Sequence, residues 1–475
     1  MKHKVLAVLF LLASSLGAQT FDLVIRGGRV IDPESGLDAV REIGILGGKI
    51  AAISSTSLQG KSTTDARGLI VAPGFIDLHA HGQDEENQRY QVMDGVTTAL
   101  ELEIGAADMD DWYSSREGRR LIHSGVTVGH VPNRMQVFRD PNPGLVPSGE
   151  AAHRAATNEE IAALRTRIER GLARGALGVG FGLQYTPAAS RWEILEMFRV
   201  AGRFRATAFV HIRHMGDREP AGALNALQEV ISASVVTGAP LHVVHITSSG
   251  LRAAPQLLTV IGEARARGLD VTTECYPYNA AMTELRSAIF DPGWQSVLGI
   301  GFEGVEWTET GERLTEKTFA AYRKKGGMVI MHMIPDPVVE AAVASPLVLI
   351  ASDGILQNGK GHPRGAGTFA RVLGRYVRTS RALSMMDALR KMTLLPAQRL
   401  EARAPMMKNK GRIRLGADAD LTAFDPERVI DRATFQQPAQ FSEGIRHVWV
   451  NGVAVVKDGQ LQKGLYPGQA VRASL

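Results

Sequence analysis

From residue 73 to residue 399, apolar runs of strand length alternate with stretches of helical periodicity, and no other feature of this sequence narrows the fold so far. Strand-like runs fall at 75–80, 96–103, 126–130, 176–181, 207–211, 240–246, 269–274, 328–332 and 347–352. Between them lie helical patterns such as Asn158 to Gly171 and Ser190 to Ala201. Strands separated by helices pair in parallel, because a crossover helix returns the chain to the same end of the sheet. The runs are about as many as an eight-stranded barrel needs, with one in excess. The expected class is α/β, a (β/α)8 TIM-type barrel, whose chemistry sits at the carboxyl ends of the strands.

The two ends of the chain read differently. Phe21 to Asp32 and Ile43 to Ile50 are short alternating strands joined by Gly-containing turns, and Gly416 to Pro426 and His447 to Val456 read the same way. Asn451-Gly452 is a strong hairpin signal. Neither end carries enough strands for a stable sheet. They are expected to pair into one small composite β-sandwich domain, residues 19–72 plus 400–475, beside a barrel over 73–399.

The first 18 residues have the form of a secretion signal: Lys2 and Lys4, an apolar stretch from Val5 to Leu12, and the small-residue region Ser15-Leu16-Gly17-Ala18. The expected location is periplasmic or secreted. No later segment approaches the length of a membrane helix, and a single cysteine, Cys275, precludes an internal disulfide. The net charge of +5 comes without a dense Lys/Arg run, so nucleic acid is not implied. A homo-oligomer is left open.

Val71 to Gly82 ends an apolar strand in His79 and His81. Alternate side chains of a strand share a face, so both imidazoles project together, about 7 Å apart along the backbone, and can close on one metal ion. The other runs end in Glu101 and Glu103, in His211, in His245 and in Asp353. Any one of these alone is explained by ordinary hydrogen bonding. A buried set at one end of successive strands needs a metal to offset its desolvation.

Two-metal sites in such barrels need an anionic bridge, often a carbamylated lysine. From Ser62 to Glu316 there is no lysine, and Cys275 lies too late. A carboxylate must then bridge if two metals bind. Glu103, nearer the strand end, is the preferred bridge, with Glu101 one layer deeper as support for a ligand. His123, His130, His153, His214, His242 and His332 read as structural or surface residues, with His332 near enough a strand end to touch the site. The glycine-rich stretch 175–182 reads as barrel turns, and Cys275 as buried and inert.

With these residues in place, the chain resembles the amidohydrolase superfamily, and within it the N-acyl-D-amino-acid deacylases, or D-aminoacylases. The matching pieces are Pro73 to His81, Asp94 to Thr98, Gly182 to Pro187, His211-Ile212-Arg213, Tyr276-Pro277-Tyr278, Ile350 to Gly354, His362 to Phe369, Met392 to Ala397, Gly416 to Asp425 and Ile445 to Val456. They run in family order over nearly the whole mature chain. The resemblance implies zinc, as one or two ions with other divalent metals open, and hydrolysis of an N-acyl amide on a D-amino acid. It implies that His79 and His81 hold one metal, His211 and His245 the other, and that Asp353 is both ligand and general base. Two positions depart from the family. Its cysteine after the second strand is missing, with Glu103 near that place, and its lysine next to the His245 equivalent is replaced by Thr247 or Ser248. The region 291–327, where a lid could lie, is shorter than usual.

The expected chemistry is attack by water whose pKa zinc lowers towards ~7, with Asp353 taking its proton and passing it to the leaving amine. Arg364 is the expected anchor for a free carboxylate on a small-molecule substrate. Tyr185 and Tyr278 are expected to line the pocket, and Arg213 or Arg286 to offer a second anion contact. Two alternatives stand beside this reading. One is a cyclic amidase of the dihydroorotase or hydantoinase type, which usually carries the bridging lysine. The other is a non-catalytic exported metal or solute carrier.

Overall fold

The structure, a computed structural model, describes residues 20–474; the candidate secretion signal lies outside them. Its centre is a parallel sheet of eight strands: β1 (Phe75–Asp77), β2 (Val96–Ala106), β3 (His123–Gly129), β4 (Gly178–Gly182), β5 (Thr207–His211), β6 (Leu241–Val243), β7 (Val271–Cys275) and β8 (Val348–Ile350). They neighbour one another in chain order from β1 to β8. The ends meet just past the strands, where Ala80 and Gly354 form a parallel bridge and Asp353 N–H donates to the His79 carbonyl at 2.7 Å. That contact closes the ring at the end where the histidines emerge.

Eight of the runs read from the sequence are barrel strands. The ninth, 328–332, is not. Met328–Met331 is the middle strand of a separate antiparallel sheet with Ala281–Glu284 and Val305–Trp307, inserted between β7 and β8. A short apolar run carries no mark of which sheet will bury it. The glycine-rich stretch expected as turns is largely strand β4, where the glycines let backbones approach: a Cβ on Gly180 would lie 2.2 Å from the Glu103 carbonyl oxygen.

The outer helices start where their caps predict. Asn158–Ala173 begins at a capping box of Thr157 and Glu160, and Arg191–Arg203 begins at Ser190, whose hydroxyl accepts from Glu193 N–H. Each buries an apolar stripe, Ile161, Leu164 and Ile168 on the first and Ile194, Met197 and Phe198 on the second. Among the described residues no helix is long and apolar enough to cross a membrane.

Strands from both ends of the chain form one nine-stranded sheet. Its order is Gln460–Leu461, Val453–Lys457, Ile445–Val450, Leu421–Phe424, Ile70–Pro73, Thr20–Asp32, Leu37–Leu46 and Lys49–Ser54, with Gln59–Asp65 pairing alongside Thr20–Asp32. Ile25, Ile43, Val71, Leu421 and Trp449 pack into a core of their own. Asn451 and Gly452 both take left-handed backbone, φ +50° and +77°, between the paired Val450 and Val453, as a two-residue hairpin requires. Ile70–Pro73 belongs to this sheet and β1 begins at Phe75, so the histidine strand springs directly from it.

Candidate metal centre

β1 runs on past Asp77 into His79 and His81, and Asp77 fixes that extension. Its Oδ1 accepts from the backbone N–H of His79 at 3.1 Å and of Ser352 at 3.0 Å. The chain is thereby tied to the segment after β8, which carries Asp353. Asp353 and His245 both have left-handed backbone, φ +53° and +30°. A non-glycine residue held there costs energy, and such strain gathers at functional sites. Here it turns both side chains in at the barrel mouth.

The result is two groups that share one residue. His79, His81, Glu103 and Asp353 place ligand atoms within 4.8 Å of one another, and so do Glu103, His211 and His245. Glu103 divides its oxygens between them. Oε2 lies 3.0 Å from His79 Nε2 and 3.2 Å from His81 Nε2, whereas Oε1 lies 2.8 Å from His211 Nδ1 and 3.5 Å from His245 Nε2. Asp353 Oδ1 stands 3.2 Å from His81 Nε2 and 3.5 Å from His79 Nε2. All six residues are buried or nearly so.

The protonation pattern fits a cation. His79 Nδ1 donates to Glu274 Oε1 at 2.6 Å, and His81 Nδ1 donates to Glu101 Oε2 at 2.6 Å. Each Nε2 therefore presents a lone pair, and the two stand 3.2 Å apart. Lone pairs that close repel unless a cation or proton lies between them. Burial works against protonating His79, yet the Asp353 and Glu274 carboxylates outweigh it and raise its pKa well above the usual value. Burial likewise opposes ionising Glu103, and the surrounding His211, His245, His79 and His81 hold it well below the usual carboxylate range. The field that draws protons onto these imidazoles also draws a divalent metal, and the set of imidazole nitrogens and carboxylate oxygens suits zinc. His211 Nε2 is buried without a partner, which leaves that ring able to serve through either nitrogen.

Sequence reasoning passed over Glu274, at 1 % exposed, which also accepts from His242 Nε2 at 3.1 Å. Burial opposes its ionisation, but His79 and His242 bring its pKa down to about 2. The rule that polar residues ending a strand run are candidates, applied to 269–274, would have found it.

Beside the metal groups lies a cavity of about 30 Å³ lined by His81, Glu103, Tyr185, Asp353 and Arg364 and, above them, by Ile104, Leu145, Val146, Met282, Thr283, Glu284, Met328 and Ile355. Arg364 is buried, and its Nη2 forms an ion pair with Asp353 Oδ1 at 3.0 Å, while Nε and Nη1 have no partner. Its guanidinium lies over the Tyr276 ring at 4.4 Å. Tyr185 meets the His211 ring edge-on at 5.0 Å.

The remaining candidates fall elsewhere. Tyr278 does not line the cavity; its hydroxyl is 3.3 Å from Asp431 Oδ2, and the tyrosine against Arg364 is Tyr276. Arg213 spends its guanidinium on Glu229, at 3.0 and 2.7 Å, and on the Pro187 carbonyl. Arg286 caps the end of helix Glu316–Lys325 through the carbonyls of Lys324 and Lys325. An arginine's reach makes its target unreadable from sequence. His332 pairs with Glu306 at 3.0 Å, away from the metal groups, and Thr247 and Ser248 are buried and uncharged. A wider groove of about 560 Å³ on the nine-stranded sheet contains none of these residues.

Residues 144–456 match the amidohydrolase family. The D-aminoacylase of Alcaligenes xylosoxydans xylosoxydans is 30% identical, covering 96% of this chain and 99% of that one, and the N-acyl-D-glutamate deacylase of the same organism is 31% identical, covering 96% and 97%. Among solved structures, the N-acyl-D-glutamate deacylase of Bordetella bronchiseptica, complexed with zinc and a phosphonate that mimics the tetrahedral intermediate, superposes with a TM-score of 0.82 at 28% identity, covering 96% and 100%.

Proposed function

The chain belongs to the amidohydrolase family, and from that premise we propose that it is a metal-dependent deacylase of N-acyl-D-amino acids. The observation that carries the reading is the shared carboxylate of Glu103, one oxygen turned to each metal group, with Asp353 and Arg364 beside it. His79, His81 and Glu103 would hold one divalent cation, and His211, His245 and Glu103 a second. The chemistry such a cation supplies is acidification of water and polarisation of the amide carbonyl.

The chain's own residues do the rest. Glu274 and Glu101 keep the Nδ1 protons of His79 and His81 in place, so that both Nε2 atoms stay basic towards the centre. An Asp353 carboxylate oxygen accepts the proton of the attacking water and delivers it to the departing nitrogen. Arg364 has donors to spare: with Nη2 on Asp353, its Nε and Nη1 remain for the substrate carboxylate. The D configuration rests on the relatives that act on D-amino-acid derivatives. We place the mature protein in the periplasm or medium on the strength of residues 1–18; amino-terminal sequencing of the exported protein should begin at Gln19.

The deciding assay incubates the purified zinc-loaded protein with N-acetyl-D- and N-acetyl-L-amino acids and measures free amino acid. Release from the D series alone, abolished by a chelator and restored by zinc, is the expected result. Turnover of cyclic amides with none of the D series would replace the proposal by the cyclic-amidase reading. Retained metal without turnover of either would leave a carrier.

A further inference from the structure

The cavity over the metal groups is tight, about 30 Å³, and lies beneath a largely apolar roof. That roof comes from two insertions. The segment between helix His130–Phe138 and helix Glu150–His153 contributes Leu145 and Val146, and the three-stranded sheet contributes Met282 and Met328.

The two halves meet at Glu284, the last residue of strand Ala281–Glu284. Its Oε1 accepts from Leu145 N–H at 2.6 Å, and its Oε2 accepts from Asn142 Nδ2 at 2.9 Å. Gly144 passes so near that a Cβ there would lie 2.2 Å from Glu284 Oε1. The segment is braced from within, since the Asp140 carboxylate accepts from the N–H groups of Asn142, Ser148 and Gly149 at 3.1, 3.2 and 2.9 Å. A braced segment keeps its shape, so its seat on the roof is set by its links to the sheet. The other polar link, His153 to Asp291 at 2.8 Å, is open to solvent and correspondingly weak.

We propose that Glu284 is a positioning residue that clasps this segment over the metal centre, so that Leu145 and Val146 form an apolar wall selecting substrates with an apolar group beside the scissile amide. The proposal rests on the deacylase reading for its substrate and on geometry for the clasp. Charge points the same way. Arg364 is the only guanidinium or ammonium among the described residues of the cavity lining, and it already holds Asp353. A side chain with a carboxylate of its own would find no second cation, and would face Glu284 and Asp353.

Hydrogen exchange on the full chain tests the clasp without any turnover. Glu284→Ala, and separately Gly144→Ala, should speed exchange over residues 142–149 about tenfold or more while leaving the barrel strands protected. In the zinc-loaded enzyme both variants should raise KM for N-acetyl-D-leucine about tenfold with kcat changed less than about threefold, and Glu284→Gln, which keeps an acceptor for Leu145 N–H, should fall between. The wild type should prefer N-acetyl-D-leucine to N-acetyl-D-glutamate. Unchanged exchange in both variants overturns the clasp, and a preference for the glutamate derivative overturns the apolar wall. If the wild type turns over no N-acyl-D substrate, the deacylase reading fails, while the exchange result still decides whether Glu284 clasps.

Discussion

A carboxylate between two groups of histidines can serve both only if each of its oxygens has its own partners, and Glu103 has that arrangement. Replacing it by alanine should remove one metal per chain and most activity, with metal content read by elemental analysis of the purified protein. Glu274 acts one step removed. It holds the His79 ring by its Nδ1 proton, and partners of that kind are worth about 10–100-fold in metal affinity. Glu274→Gln should weaken zinc binding by about that factor in a competition titration with a chelator, with the far-ultraviolet dichroism unchanged. An effect under about twofold would mean that the His79 ring is oriented by packing alone.

Elements place these residues by how closely they approach. β2 carries Glu101 and Glu103, and the glycine-rich β4 lies against it near enough that Gly180 has no room for a methyl group: the Glu103 carbonyl oxygen would be 2.2 Å away and that of Leu102 2.8 Å. Backbone atoms cannot swing aside as a side-chain tip can. Gly180→Ala should cost about 1–3 kcal/mol by overpacking, read in urea unfolding, and should lower zinc affinity because the strain falls on Glu103, the proposed bridge. A variant that loses stability but binds zinc as tightly as the wild type would show that β2 holds Glu103 independently of β4.

At the scale of the whole molecule, the nine-stranded sheet and the barrel are joined by a buried cluster of charge. Lys410, 1 % exposed, donates to Asp418 at 2.9 Å and to Asp420 at 2.7 Å; Asp420 also meets His123, the first residue of β3, at 3.0 Å. Lys410→Met would leave Asp420 buried without its lysine, while Asp418 keeps its pair with Lys49, at a cost of about 3–5 kcal/mol. Acid should loosen the same junction. Burial, with Lys410 adding to it, depresses His123 below its ordinary 6.5, and His123 and Lys410 overcome burial to depress Asp420 below 3.8. Both groups bind fewer protons folded than unfolded, so their contribution is complete above pH 6.5 and is lost as pH falls, through His123 first and through Asp420 below about 4. Urea midpoints measured from pH 7.5 down to 4 should fall accordingly, and a flat profile would refute the assignment.

The barrel and most of the candidate metal site were legible in the sequence, because strand periodicity fixes which side chains share a face and a strand's end fixes where a ligand can stand. His79, His81, Glu103, His211, His245 and Asp353 all end such runs. The destinations of long side chains were not legible: Arg213 and Arg286 turn to local partners, and Tyr276 rather than Tyr278 backs Arg364. Nor was the sheet to which Met328–Met331 belongs, or the contact of Glu284 with Leu145 across 139 residues. Local pattern settles the secondary structure and the face of each residue. Which distant groups come within hydrogen-bonding distance depends on how whole elements pack, and that is decided only when the chain closes on itself.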